Sequence, residues 1–292
     1  MKQFLGLSAK EACTYSDASV IIVPVPFECT VSFGEGTAHA PRAIIDASSQ
    51  VELYSIDLGR NIYERGIHTL APLCKATAAS TKQTRSLLFE RIEKTASRII
   101  KDGKKGVFLG GEHTIALPII RAYQRSFGTV TVLHFDAHSD LRNSYQRDKL
   151  SHASTMRRIH ELGVEHVSVG IRSQCIEEAS FIRENNLKVF YMEAIRKGAS
   201  SWMQDVIRNL GDTVYVTFDV DCLDPAIVPA TGTPEPGGFD WYQIQDFLAA
   251  LRDSGIRVAG FDFVEFAPQE THHASAFLCA KLIYNMIGYL FT

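Results

Sequence analysis

Three polar clusters in this sequence of 292 residues contain histidine and aspartate at spacings suited to metal binding. The clusters are GGEHT at 110–114, DAHSD at 136–140 and DVD at 219–221. Their candidate ligands are two histidines and four aspartates, namely His113, Asp136, His138, Asp140, Asp219 and Asp221. In D-x-H-x-D and D-x-D every second side chain lies on the same side of an extended segment. The members of each cluster can therefore point into one shared volume.

The charge of this ligand set predicts two divalent cations. Four carboxylates buried together repel one another, and each loses its hydration. Two divalent cations would balance the four negative charges, whereas one tetrahedral zinc takes only four ligands. An oxygen-rich set with some imidazole favours Mn²⁺ over Zn²⁺ or Cu²⁺. Two such metals about 3.5–4 Å apart activate a water for attack, so the expected chemistry is metal-assisted hydrolysis.

The elements that must position these clusters are apolar strands separated by amphipathic helices. Strands are predicted at 18–25, 106–109, 129–135, 166–170, 188–191, 213–218 and 257–263. Helices are predicted at 41–51, 81–102, 115–127, 154–162, 176–185, 201–210, 241–254 and 274–290. This alternation is typical of an α/β fold with a parallel sheet covered by helices on both faces. Ligands bind beyond the carboxyl ends of such strands, which is where all three clusters stand.

Composition excludes several classes of protein. Apolar residues make up 46% and charged residues 22%, as in ordinary globular domains. The net charge of −3 gives no basic field for nucleic acid, and no apolar run reaches the length of about 18 residues that a membrane span needs. The six cysteines stand singly, which indicates reduced thiols. We expect a cytoplasmic protein with one domain over 1–292 and no signal peptide.

The clusters and their surroundings resemble the ureohydrolases, the family of arginase, agmatinase, guanidinobutyrase and formimidoylglutamase. The match includes DVDCLDPAIVPATGTPEPGG at 219–238, GFDFVE at 260–265 and FGEGTAHAPRAI at 33–44. The resemblance implies a three-layer α/β/α fold with a central parallel sheet of about eight strands, and a homo-oligomer of three or six subunits. It also implies two Mn²⁺ per subunit. Asp136 and Asp219 would bridge them, with His113 and Asp140 completing one shell and His138 and Asp221 the other.

The resemblance also implies roles in substrate binding and catalysis. His152, in LSHAS, would bind substrate and relay a proton to the leaving amine, as a histidine with a pKa near 6.5 can do at neutral pH. Glu265 would bind the guanidinium, because a carboxylate matches that planar cation in charge and geometry. Thr233 lies in the loop beside it, and Asp140 would also accept a hydrogen bond from the nucleophile. The expected partner is a small cationic guanidino substrate.

The choice of substrate leaves alternatives open. The SHAS-TMRR and TGTPEPGG segments resemble the agmatinase branch, which implies hydrolysis of agmatine to putrescine and urea. Three loop cations, Arg142, Arg147 and Lys149, could instead pair with a carboxylate such as that of 4-guanidinobutyrate. Guanidinobutyrase is therefore the first alternative, followed by arginase and formimidoylglutamase. A single-zinc amidohydrolase of the deacetylase type and a non-catalytic relative are the alternatives from other classes.

Other polar residues near the clusters are expected to serve structure. His134 is interpreted as a core histidine at the wrong alternation for the metal cluster, and Asp262 as a structural carboxyl. His272 and His273 are expected to begin the last helix, and Cys222 to be a packed side chain.

Overall fold

The computed structural model describes residues 2–8, 11–76, 82–198, 201–269 and 273–291. Its main sheet has eight parallel strands in the order β4-β1-β5-β10-β9-β6-β7-β8. These strands are β1 Val20–Val25, β4 Ile67–Thr69, β5 Lys105–Gly110, β6 Thr131–Phe135, β7 Glu165–Ile171, β8 Lys188–Tyr191, β9 Thr213–Asp219 and β10 Arg257–Val264. A separate antiparallel pair consists of β2 Tyr54–Ser55 and β3 Arg60–Asn61.

The described residues form nine α-helices. They are α1 Ala40–Ser48, α2 Lys82–Lys101, α3 Ala116–Phe127, α4 Thr155–His160, α5 Ile176–Glu184, α6 Met192–Arg196, α7 Trp202–Arg208, α8 Trp241–Asp253 and α9 His273–Leu290. None of them is long and apolar enough to cross a lipid bilayer.

The sheet separates two hydrophobic cores. Val20 and Ile22 of β1 pack into one core, whereas Ile21 and Val23 pack into the other, because successive side chains of a strand point to opposite faces. Helices α1, α8 and α9 cover the first face, and α2, α3 and α4 cover the second. Strands covered on both faces must be apolar along their whole length, which explains the runs in the sequence. The predicted three-layer α/β/α fold is confirmed.

Differences from the predicted elements are confined to short segments. Strand β4 and helix α6 were not predicted. They have only three and five residues, which is too few to show a hydrophobic period. Helix α1 was predicted over 41–51 but ends at Ser48. The long central strands of the sheet were all predicted.

Four neighbouring strands in the middle of the sheet bring the polar clusters together. β5, β10, β9 and β6 are adjacent and parallel, so their carboxyl ends lie along one edge. Val264 pairs with Asp219, and Phe135 pairs with Phe218, so the residues that follow these strands start at the same level. Gly111 fits the turn after β5 because a Cβ there would lie 2.0 Å from the Phe27 carbonyl oxygen.

Candidate metal centre

The six predicted ligands lie together beyond the carboxyl ends of β5, β6 and β9. His113 opens a 3-10 turn three residues after β5 ends, and Asp219 is the last residue of β9. All except His138 are buried, and the His138 side chain is 27% exposed. The sheet therefore places residues that are up to 108 positions apart in sequence around one volume, from His113 to Asp221.

His113 is surrounded by carboxylates on one side of its ring. Its Nδ1 lies 3.1 Å from Asp140 Oδ2, 3.3 Å from Asp136 Oδ2 and 3.5 Å from Asp219 Oδ2. This nitrogen is buried and has no hydrogen-bond partner among the described residues. An orphaned imidazole nitrogen facing three carboxylates is a donor set that fits a divalent cation.

A second group of ligands surrounds His138. Its Nδ1 lies 2.9 Å from Asp221 Oδ2 and 3.6 Å from Asp136 Oδ1. Asp136 thus presents Oδ1 to His138 and Oδ2 to His113. A carboxylate shared between two histidine-containing groups is the arrangement that two neighbouring cations require.

The electrostatics of the cluster also favour bound cations. Burial raises the pKa of Asp219 well above its ordinary value, and the charges of Asp221 and Asp136 raise it further. Burial and Asp136 likewise raise the pKa of Asp221. Carboxylates that are hard to ionise side by side become stable anions when a divalent cation lies between them.

The other nitrogen of His113 is held by a buried chain of hydrogen bonds. His113 Nε2 lies 2.9 Å from Thr217 Oγ1, and the Thr217 hydroxyl donates to Asp262 Oδ1 at 2.6 Å. All three residues are fully buried. Because the hydroxyl hydrogen goes to Asp262, Thr217 Oγ1 accepts the Nε2 proton and leaves Nδ1 free for a cation. Asp262 was expected to serve structure only. It is linked through two hydrogen bonds to His113 Nε2, the ring nitrogen opposite the one that faces the carboxylates.

His134 is buried as expected, but its assignment to the wrong alternation is incorrect. Its Nε2 lies 2.8 Å from Asp136 Oδ2, and its Nδ1 lies 3.0 Å from Ser168 Oγ. His134 stands two positions before Asp136, so the period of an extended strand brings both side chains to the same side. That spacing was the signal in the sequence that should have linked His134 to the cluster.

Glu265 reaches the site from the residue that follows β10. Its Oε1 accepts a hydrogen bond of 2.6 Å from the backbone N–H of His113. Its φ of 62° lies in the left-handed region, as does the φ of 51° at Asp140. Such strained backbone at two non-glycine residues is found where a site demands a particular side-chain direction. Burial, together with the charge of Glu112, raises the pKa of Glu265 well above its ordinary value, which favours a cationic partner.

A cavity of about 360 Å³ opens above the cluster. His152 and Thr233 line it together with Glu265, so the structure places all three substrate residues predicted from the sequence around one space. His152 begins a 3-10 turn, and the Tyr145 ring packs edge-on against its ring with 5.7 Å between centroids.

The loop 141–151, which leads to His152, is anchored from helix α2. Arg85 donates to both carboxylate oxygens of Asp148, at 2.8 and 3.1 Å, and to the Leu150 carbonyl oxygen at 3.1 Å. The Arg85 side chain is only 4% exposed. A bidentate and buried guanidinium fixes the loop two residues before His152.

The three loop cations separate in space. Arg142 lines the cavity, whereas Arg147 and Lys149 are exposed and do not line it. The Nε atom of Arg142 lies 4.0 Å from Glu178 Oε2, and its guanidinium lies 5.3 Å from the Tyr145 ring centroid. The positive charge nearest the cavity is therefore opposed by a carboxylate.

Two further expectations concern structural residues. Cys222 is fully buried, as expected for a packed side chain. His273 is the exposed first residue of α9, and His272 lies outside the described residues.

Comparison with known proteins agrees with the geometry of this site. The model of the arginase family matches residues 18–288. The chain belongs to the arginase family. Its relatives include an N(1)-aminopropylagmatine ureohydrolase of Synechocystis, 37% identical over 99% of this chain and 94% of that protein. They also include an agmatinase of Bacillus anthracis, 35% identical over 89% of this chain and 87% of that protein.

The fold of this ureohydrolase is similar to that of solved members. The agmatine ureohydrolase of Thermoplasma volcanium superposes with a TM-score of 0.86 at 29% identity, over 99% of this chain and 94% of that one. The prediction of a ureohydrolase, and therefore of a hydrolase, is confirmed.

Proposed function

We propose that this ureohydrolase hydrolyses agmatine to putrescine and urea, with two Mn²⁺ per subunit. The charge of the cavity carries this proposal. Its lining includes two carboxylates outside the predicted ligand set, Glu178 and Glu265, beside the ligands Asp140, Asp219 and Asp221, whose charges the two cations would balance. Of the described residues that line it, Arg142 alone bears a permanent positive charge, and Arg142 faces Glu178. A site of this kind attracts a substrate with a cation at each end and no carboxylate.

The donor set supports two overlapping groups of ligands for the two cations. His113, Asp140, Asp136 and Asp219 would hold one, and His138, Asp221, Asp136 and Asp219 would hold the other. When bound, such cations lower the pKa of water, which is the chemistry that makes a hydroxide nucleophile at neutral pH. A single zinc would leave several of these buried carboxylates without a partner, which argues against the deacetylase-type alternative.

The remaining steps depend on side chains of this chain alone. Glu265 would accept hydrogen bonds from the guanidinium and hold its carbon above the cluster, since its Oε1 is already fixed by the His113 N–H. Asp140 would accept a hydrogen bond from the attacking water. His152 would give a proton to the departing amine, and Thr233 would line the substrate beside Glu265.

The guanidinobutyrase alternative is less well supported. A substrate carboxylate would need a free cation in the cavity, but Glu178 already opposes Arg142. Arg147 and Lys149 are exposed outside the cavity lining and would leave the carboxylate of a bound 4-guanidinobutyrate unpaired.

A second candidate substrate is N(1)-aminopropylagmatine, which the Synechocystis relative is named for. It contains the same guanidinium and a longer cationic tail, so it meets the same charge requirement. Phe33 at the cavity is 80% exposed, which indicates an open mouth where a longer tail would have room.

A urea-release screen with added Mn²⁺ tests both candidates. Agmatine, N(1)-aminopropylagmatine, arginine and 4-guanidinobutyrate are compared by kcat/KM. We expect one of the two polycationic substrates to exceed the two carboxylates by about 10-fold or more, because a carboxylate placed beside the charge of Glu178 costs about 1–4 kcal/mol. A faster reaction with 4-guanidinobutyrate, or no urea from any compound, would refute the proposal.

Metal content tests the assignment of ligands. Asp136→Ala and Asp219→Ala should lose bound Mn²⁺ and turnover together, whereas Asp253→Ala, at the exposed end of α8, should lose neither. Two metals and normal activity in either ligand variant would contradict the assignment. The trimeric or hexameric assembly stays a prediction, for light scattering to test.

A further inference from the structure

The Thr30 side chain contacts His152 at two points. The His152 backbone N–H donates to Thr30 Oγ1 at 3.0 Å, and His152 Nδ1 lies 3.1 Å from the same oxygen. Both distances are normal for hydrogen bonds, and a hydroxyl oxygen has two lone pairs, so Thr30 Oγ1 can accept from both nitrogens. A single oxygen thus fixes both the backbone and the ring of His152.

Thr30 is itself fixed by a buried carboxylate. The backbone N–H groups of Cys29 and Thr30 both donate to Glu112 Oε2, each at 2.6 Å. The Thr114 hydroxyl donates to Glu112 Oε1 at 2.6 Å, and Glu112 is fully buried. Charge-assisted hydrogen bonds of this length hold their partners firmly. Glu112, the neighbour of His113 in GGEHT, therefore connects the segment carrying Thr30 to the metal-binding turn.

We propose that Thr30 is a positioning residue that fixes which nitrogen of His152 exchanges protons. Thr30 Oγ1 accepts the Nδ1 proton, so the neutral ring carries its hydrogen on Nδ1 and presents the Nε2 lone pair to the cavity that His152 lines. This inference depends on the proposed role of His152.

The proton balance follows from this arrangement. His152 gains a solvent proton at Nε2 and becomes an imidazolium. It then passes that same proton to the nitrogen of the departing amine as the C–N bond breaks. The ring returns to the neutral form with its hydrogen on Nδ1, and the hydrogen bond to Thr30 is kept throughout. Without this acceptor the neutral ring is free to place its hydrogen on Nε2, and the lone pair that takes up the next proton then lies on Nδ1 instead of on the nitrogen that serves the leaving amine.

Thr30→Val removes the oxygen and keeps the shape of the side chain. We expect kcat for agmatine to fall about 10-fold, a part of the 10²–10⁴ that general acid catalysis contributes, with KM changed less than about twofold. Thr30→Ser restores the oxygen and should stay within about threefold of the unmodified protein. Thr155→Val is the matched control, since its hydroxyl is buried close to His152 and bonds the Ser151 carbonyl oxygen instead. That variant should keep its kcat.

A double-mutant cycle tests whether Thr30 acts through His152. In a His152→Ala background, Thr30→Val should cause no further loss of kcat. The same 10-fold loss in that background would show a general structural role and overturn the inference.

Nitrogen NMR of ¹⁵N-histidine-labelled protein gives a readout that does not depend on turnover. Spectra are recorded at alkaline pH and without Mn²⁺, which broadens nearby signals, and the His152 signals are assigned by their absence in His152→Ala. In the unmodified protein we expect the neutral His152 ring to carry its hydrogen on Nδ1. In Thr30→Val we expect a larger fraction of the rings to carry it on Nε2. A proton on Nε2 in the unmodified protein would overturn the inference.

The two proposals fail in different ways. Full activity of His152→Ala, or no urea from any guanidino compound, refutes the proposed function, and the NMR spectra then decide alone whether Thr30 places the proton. Normal urea release with an unchanged kcat in Thr30→Val refutes only the positioning role.

Discussion

Thr217→Val removes the hydroxyl that links His113 to Asp262. The substitution keeps the β-branched shape on β9 but leaves two fully buried groups, His113 Nε2–H and Asp262 Oδ1, without their shared partner. Each unsatisfied buried polar group costs about 1–3 kcal/mol, which gives about 2–6 kcal/mol in total. Burial raises the pKa of Asp262 to about 6, so part of the cost at Asp262 is relieved by protonation. We expect a loss of about 2–4 kcal/mol in the free energy of unfolding.

The same substitution should weaken metal binding. Residues that hold the second nitrogen of a metal-binding histidine typically contribute 10- to 100-fold to affinity. Without Thr217, the His113 ring is free to place its proton on Nδ1, the nitrogen that faces the three carboxylates. We therefore expect the Kd for one of the two Mn²⁺ ions to rise by about 10- to 100-fold, with the second ion less affected.

Urea denaturation with a chelator measures stability, and titration calorimetry with Mn²⁺ measures affinity. Thr131→Val is the matched control on neighbouring β6, since its buried hydroxyl accepts a single bond of 3.2 Å from the Gly211 N–H. That control should lose about 1 kcal/mol and bind Mn²⁺ normally. Equal stability and equal Mn²⁺ affinity in the two variants would refute the role assigned to the chain from Asp262 to His113.

Two further predictions concern stability away from the cluster. Burial lowers the pKa of His166 to about 3, so below pH 6.5 the unfolded chain binds a proton that the folded chain excludes, and stability falls as the pH drops. Between pH 7 and pH 5 this lowers the free energy of unfolding of the unmodified protein by about 2 kcal/mol. His166→Leu lacks the ring, so its free energy of unfolding, measured by urea denaturation, should fall by about 2 kcal/mol less over the same pH interval. An equal loss in both would show that the ring is protonated in the fold. Arg85→Met should lower the free energy of unfolding by about 2–3 kcal/mol, which is less than the loss in a fully buried pair because Asp148 is partly exposed. It should also reduce kcat, because Arg85 fixes the loop before His152. Exposed Arg91 on the same helix is the control, and a change no larger in Arg85→Met than in Arg91→Met would contradict the anchoring role.

The amino-acid sequence was sufficient to predict the main strands and helices and the parallel sheet that they form. Strands buried on both faces must be apolar throughout, and the helices between them show a period of 3.6 residues, so both signals are local and readable. The carboxyl ends of parallel strands meet at one edge. For that reason the convergence of His113, Asp136 and Asp219 could be predicted before any distance was known.

The alternation within a strand was also sufficient for His134, and here the sequence was misinterpreted. The spacing of two between His134 and Asp136 places both side chains on the same side of the strand, and this follows without any tertiary information. The contact of 2.8 Å with Asp136 therefore followed from a local rule, and only its partner Ser168 on β7 required the sheet.

Only the tertiary structure decided which groups support the site from outside the motifs. Thr30 contacts His152 across 122 positions, and Arg85 contacts Asp148 across 63. These pairings depend on which strands are neighbours and on how the loops cross their ends, and neither has a periodic signal in the chain. The sequence by itself determined which chemistry was available, because residue type and local spacing set the donors. The packing of distant segments decided which nitrogen stays free in His113 and in His152, because Thr217 and Thr30 occupy the other one.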